Sequence, residues 1–140
     1  MLTQRIMCLD LGESRTGVAV SDMLGITAQG AGVIRCKSFD EDICEFIKII
    51  NEKNVVLVVV GYPLNMDGTE GAKAQRVKEQ FNILKEKLPC NVVLWDERLS
   101  TKEAERAFDQ TGKNWKKKRN VIDEMAAQII LQSYLDSNVF

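Results

Sequence analysis

The stretch Arg5-Ile6-Met7-Cys8-Leu9-Asp10-Leu11-Gly12-Glu13-Ser14-Arg15-Thr16-Gly17-Val18-Ala19-Val20-Ser21 decides the fold. In an extended chain Ile6 and Cys8 share one side with Asp10, while Met7, Leu9 and Leu11 take the other. A strand that is apolar on both sides needs cover on both faces. The turn Gly12-Glu13-Ser14-Arg15 leads directly into a second strand, Thr16 to Ser21. A third strand is expected within Ile26 to Cys36, blurred by Gly30 and Gly32. Connections this short suit an antiparallel meander.

Downstream the period changes. Ser38-Phe39-Asp40-Glu41 is a capping box, and Ile43, Phe46, Ile47 and Ile50 follow at helical spacing. Val55 to Val60 is a β-branched run without alternation, the pattern of a strand covered on both sides. A second helix, from Lys73 to Leu88, carries Val77, Phe81, Leu84 and Leu88 on one stripe and stops before Pro89. Val92 to Trp95 reads as the fifth strand. A second capping box, Ser100 to Glu103, opens a helix ending near Gly112, and a last helix runs from Val121 to Asp136. The order predicts an α/β fold: a mixed five-stranded sheet, three antiparallel strands then two parallel, flanked by helices. No repeat, low-complexity tract or linker interrupts it, so residues 1–140 are expected to form one domain.

Composition narrows the chemistry. The 140 residues are 45% hydrophobic and 28% charged, which suits a soluble globular domain. The longest aliphatic run is far short of the roughly 20 residues needed to cross a bilayer. The N-terminus meets an acidic residue too early for a secretory segment, so a cytoplasmic location without membrane contact is expected. Nineteen basic residues nearly balance twenty acidic ones, so any nucleic-acid contact must be local. The chain has no histidine, which excludes Ser-His-Asp and Cys-His catalysis and histidine metal sites. Its four cysteines, Cys8, Cys36, Cys44 and Cys90, form no CxxC pair, and three sit among apolar residues, where buried reduced thiols are expected. Carboxylates, amines, hydroxyls and hard metal ions remain.

Three groups of carboxylates stand out. Asp10 lies in a strand that otherwise reads as buried, so it calls for a cation, either Arg5, Arg15 or a metal. Asp96 and Glu97 follow the fifth strand at its carboxyl end, where open sheets build their sites; a turn cap or an ion pair with Arg98 is the alternative use. Asp123 sits on the last helix beside Ala127, Ile130 and Tyr134, away from the polar stripe of Glu124, Gln128 and Gln132. Favourable contact with the helix macrodipole is its simpler role. Together, oxygen ligands from separate elements suit Mg²⁺ or Mn²⁺ and phosphodiester hydrolysis.

Lys113, Lys116, Lys117, Lys118 and Arg119 surround Trp115 just before the helix of Asp123. The segment reads either as a solvated loop or as a grip for a phosphate backbone with an indole to stack on a base. Gly61 to Gly68 follows the fourth strand at its carboxyl end, a common place for functional loops. Asp10 to Arg15 also shares features with the phosphate-binding turn of actin-like ATPases, but those enzymes close two domains around a nucleotide and this chain has room for one.

At family level, Asp10-Leu11-Gly12 with Arg15, Gly17 to Asp22, Gly61-Tyr62-Pro63-Leu64-Asn65-Met66-Asp67-Gly68 and Ala74-Gln75-Arg76-Val77 resemble the bacterial YqgF/RuvX family. Trp95-Asp96-Glu97-Arg98-Leu99-Ser100-Thr101, Ala104-Glu105, Lys117-Lys118-Arg119, Asp123 and Ala126 to Gln132 extend the match along nearly the whole chain. The resemblance implies a ribonuclease H-like fold and a metal-dependent nuclease whose favoured role is 5′-end maturation of pre-16S ribosomal RNA, on ribosomal precursor particles. It selects Asp10, Glu97 and Asp123 as catalytic and metal-binding residues, and Glu97 over Asp96 rests on it alone. Arg15, Asn65, Arg98, Lys116, Lys117, Lys118 and Arg119 are the expected substrate contacts. Ser14 and Asn120 depart from the family pattern, where a basic residue and a glycine are common. A Holliday junction resolvase acting on branched DNA, and a structured-RNA binding module without catalysis, stay open as alternatives, as does the choice between monomer and homodimer.

Overall fold

The computed structural model describes residues 4–99 and 119–137, and of residues 119–124 the backbone alone. Five strands form one sheet: β1 (Arg5–Leu11), β2 (Arg15–Ser21), β3 (Ala28–Arg35), β4 (Val55–Tyr62) and β5 (Asn91–Asp96). Their order is β3-β2-β1-β4-β5. The first three pair antiparallel, as the short turns require, and β4 and β5 join parallel to β1 through helical crossovers. The helices are α1 (Phe39–Lys53), α2 (Ala72–Lys87) and α3 (Arg119–Asp136), with a short 3-10 turn, Glu97–Leu99, after β5. The helix expected from Ser100 to Gly112 lies outside the described residues.

The two sides of β1 separate the core as its alternation predicts. Met7, Leu9 and Leu11 pack with Val58, Val60, Phe46, Ile50, Val77 and Leu84 under α1 and α2. Ile6 and Cys8 pack with Val59, Ala127, Ile130, Leu131 and Tyr134 under α3. Ser38 caps α1 by accepting a hydrogen bond from the Glu41 amide at 3.2 Å. Asn54 ends it in the left-handed conformation (φ 55°), which turns the chain into β4 within one residue. Of the cysteines only Cys8 is buried; Cys36 and Cys90 are half-buried and Cys44 is exposed on α1. Among the described residues no helix is long and apolar enough to cross a membrane.

Two sets of polar contacts fix how α3 lies across the sheet. On β5, the Trp95 Nε1 donates to Ser133 Oγ at 3.3 Å, and its ring meets Tyr134 edge-on at 5.2 Å. At the edge strand β3, Gln132 Oε1 accepts from the Ala28 amide at 2.9 Å, while Gln128 Nε2 donates to the Ala28 carbonyl at 3.1 Å. Gln132 Nε2 also donates to the Ile26 carbonyl at 2.9 Å. The two glutamines thus occupy the backbone amide and carbonyl of Ala28, at the start of this edge strand.

Candidate active site

Asp10 lies near the carboxyl end of β1, opposite Gly17 of β2, and is half-buried. Arg5 is no partner for it: five residues away, roughly 16 Å along an extended chain, it donates to the Lys53 carbonyl. Glu97 follows β5, the second parallel neighbour out from β1, so both carboxylates come to the same edge of the sheet. Burial, and next the charge of Asp10, push the Glu97 carboxyl up to about 7, while Lys73 opposes the shift. The same two carboxylates act on Cys8: burial first, then Asp10 and Glu97, hold its thiol well above the ordinary range. Cys8, Asp10 and Glu97 therefore share one electrostatic neighbourhood on the α3 side of the sheet.

Glu97 reaches this place because β4 gives up a side chain. A Cβ on Gly61 would stand 3.2 Å from Glu97 Cδ and 3.0 Å from Ile130 Cδ1. Ile130 lies on α3, two turns after Asp123, and α3 contacts the 3-10 turn that carries Glu97. By its backbone position Asp123 sits one turn before Ala127, a residue fully buried against the sheet. Its side chain lies outside the described residues, as do the side chain of Arg119 and the residues Lys116, Lys117 and Lys118. Among the described residues no cluster of three potential metal-ligating side chains occurs.

Asp96 has a different fate from its neighbour. Its carboxylate receives Arg98 Nε at 2.9 Å and Nη2 at 2.7 Å, and the Arg98 backbone amide at 2.9 Å. These bonds hold the Asp96 carboxyl below its usual value. Arg98 Nη1 also donates to the Met66 carbonyl at 3.4 Å, linking the end of β5 to the loop after β4. Asn65 builds that loop: its Nδ2 donates to Thr69 Oγ1 at 3.0 Å, and its backbone pairs with Thr69 and Gly68. Asn65 and Arg98, both expected as substrate contacts, thus spend these groups on loop structure.

Arg15 opens β2 beside a turn that tolerates no side chain at Gly12, where a Cβ would collide with the Arg15 carbonyl oxygen. Two cations of α2 join it, Lys73 and Arg76, which the sequence reading did not select. A signal for them exists. Lys73 falls in the first turn of a helix with no acidic residue there, and Arg76 one turn later, against the macrodipole preference.

The carboxylate pair fits a divalent cation. Two crowded acids, one of them pushed towards neutrality, offer an all-oxygen donor set that suits a hard ion such as Mg²⁺ or Mn²⁺.

A mixed sheet in this order, with acidic side chains converging at its carboxyl edge, defines the ribonuclease H-like class. The fold is that of T. thermophilus RuvC, solved in complex with a Holliday junction substrate: TM-score 0.62 at 13% identity, over 97% of each chain. Within that class the chain belongs to the RuvX family, whose model, described as Holliday junction resolvase, matches residues 4–137. A relative from Halothermothrix orenii is 48% identical over 133 residues, 94% of each chain. Another, from Clostridioides difficile, is 45% identical over 139 residues, 99% of each. Both carry the name "Putative pre-16S rRNA nuclease".

Proposed function

We propose that the chain is a metal-dependent nuclease that hydrolyses phosphodiester bonds in the 5′-end maturation of pre-16S ribosomal RNA. The observation that carries this reading is the convergence of Asp10 and Glu97, with Glu97 pushed up to about 7 by burial and by Asp10. The names of the relatives support the choice of RNA substrate. Residues 1–140 act as one domain, in the cytoplasm, as a monomer or homodimer.

Asp10, Glu97 and Asp123 would hold Mg²⁺ or Mn²⁺. Such an ion, when bound, stabilises charge on the phosphoryl oxygens and makes a water nucleophilic near neutral pH. The remaining work belongs to the protein. Arg15 and the basic segment Lys116 to Arg119 hold the backbone so that attack runs in line, leaving a 5′-phosphate and a 3′-hydroxyl.

The test is to incubate wild type and Asp10→Asn with a 5′-extended 16S precursor RNA and, in parallel, a four-way DNA junction, each with Mg²⁺, Mn²⁺ or EDTA. The expected result is metal-dependent cutting of the RNA that Asp10→Asn abolishes. Full cleavage by Asp10→Asn, free of contaminating nuclease, sinks the mechanism. The family description favours the second reading, junction resolution; paired symmetric nicks by a dimer would establish it. Tight RNA binding without cleavage under any metal would instead identify a binding module.

A further inference from the structure

The turn after β1 and the start of α2 flank an open cavity of about 750 Å³, and of its walls only Arg15 has a role in the proposed function. Gly12, Glu13 and Arg15 form one side; Lys73 and Arg76 form the other. Three cations thus face one carboxylate. That carboxylate, Glu13, is largely in solvent and already lies 3.1 Å from Arg76 Nη1. Arg76 is anchored: its Nη2 donates to the Leu11 carbonyl, one residue past Asp10, at 3.4 Å. Its buried Nε finds no acceptor among the described residues. Lys73 is exposed and forms no ion pair among the described residues, yet its charge is felt at Glu97. The cavity therefore opens beside the carboxylates, on the α2 side of the same sheet edge.

Cavities of this size accept nucleotide-sized groups. Guanidinium and ammonium donors around a polar wall suit phosphate oxygens. We propose that this cavity is a phosphate-backbone site for the RNA strand flanking the scissile bond, with Arg15 and Lys73 as contacts and Arg76 positioning the Gly12–Arg15 turn. The ligand class rests on the nuclease reading; the site itself rests on its own walls.

The test reads binding rather than cleavage. In an Asp10→Asn background with EDTA, affinity for a labelled 5′-extended 16S precursor RNA is measured against salt for the parent, Lys73→Gln and Lys48→Gln, with a four-way DNA junction in parallel. Each lost phosphate contact reduces the slope of log K against log salt by about 0.7 for a single strand and about 0.9 for a duplex. Lys73→Gln is expected to flatten the slope by about one contact, with unchanged melting. Lys48→Gln, on exposed α1 surface, is expected to leave it alone. Flattening with RNA or with the junction supports the site and tells which backbone it holds. An unchanged slope with both, or no binding of either, overturns it. Cleavage by wild type decides the nuclease reading separately, so flattening without any cleavage leaves the site standing and removes the enzyme.

Discussion

Gly61 and Glu97 share one space: a Cβ on the glycine would stand 3.2 Å from the carboxyl carbon of the glutamate. Gly61→Ala must therefore displace Glu97 or Ile130 by a few tenths of an ångström. Misplacement by about 1 Å can cost on the order of 100-fold in rate, so roughly tenfold slower single-turnover cleavage is expected here. The affinity for RNA and the melting temperature should hardly move, since the fold needs only slight repacking. Cleavage at the wild-type rate would show that the placement of Glu97 is not limiting.

The raised Glu97 carboxyl makes metal-free stability fall with pH. Its folded value, about 7, exceeds the ordinary 4.5. The contribution of the neutral form is therefore complete below about pH 4.5 and is lost as pH rises through about 7. At roughly 1.4 kcal/mol per unit, the loss is up to about 3 kcal/mol. Melting in EDTA should drop between about pH 4.5 and pH 7 for wild type and stay flatter for Glu97→Gln. Adding Mg²⁺ at the upper pH should raise the melting point of wild type more than that of the variant. Parallel pH profiles for the two proteins would contradict this.

Arg98 provides a way to separate loop positioning from substrate contact. Lysine keeps the charge but cannot reproduce the forked contact with Asp96 while also reaching the Met66 carbonyl. Arg98→Lys is expected to lower kcat by about tenfold with KM for the RNA nearly unchanged. A rise in KM at constant kcat would instead assign Arg98 to the substrate.

The glutamines of α3 carry a stability prediction. Gln132→Ala leaves the amide of Ala28, a residue only 8% exposed, without its acceptor. Losing that partner should cost roughly 1–3 kcal/mol in urea unfolding. The variant should also expose the β3 edge, so self-association at high concentration is expected to increase. A stability equal to wild type would mean that water replaces the side chain freely.

Periodicity and turn chemistry in the sequence were enough to lay out the sheet. The double-sided apolar pattern of Arg5 to Leu11 corresponds to a strand with a core cluster on each face, and the Ser38 capping box opens α1 as expected. Asp10 was conspicuous because a charge in such a strand has few inexpensive explanations. These signals are local: each depends on a residue and its neighbours within a turn or a strand.

The use made of Glu97 depended on partners far along the chain. Asp96 and Glu97 are adjacent, so local pattern gives them equal claims, and the choice between them rested on family resemblance. In the fold, Arg98 occupies Asp96, while the glycine of β4, some 36 residues away in sequence, leaves room for Glu97 beside Asp10. The cavity pairing Arg15 with Lys73 and Arg76 arises in the same way, from a turn and a helix joined only by sheet order. Backbone propensity is encoded within a few residues, so the sequence alone determined the strands, the helices and the suspicion attached to Asp10. The pairing of Asp96 with Arg98, two residues on, was among the local readings. Strand register and helix docking decide which distant charges meet, and therefore only the tertiary structure set Glu97 against Asp10.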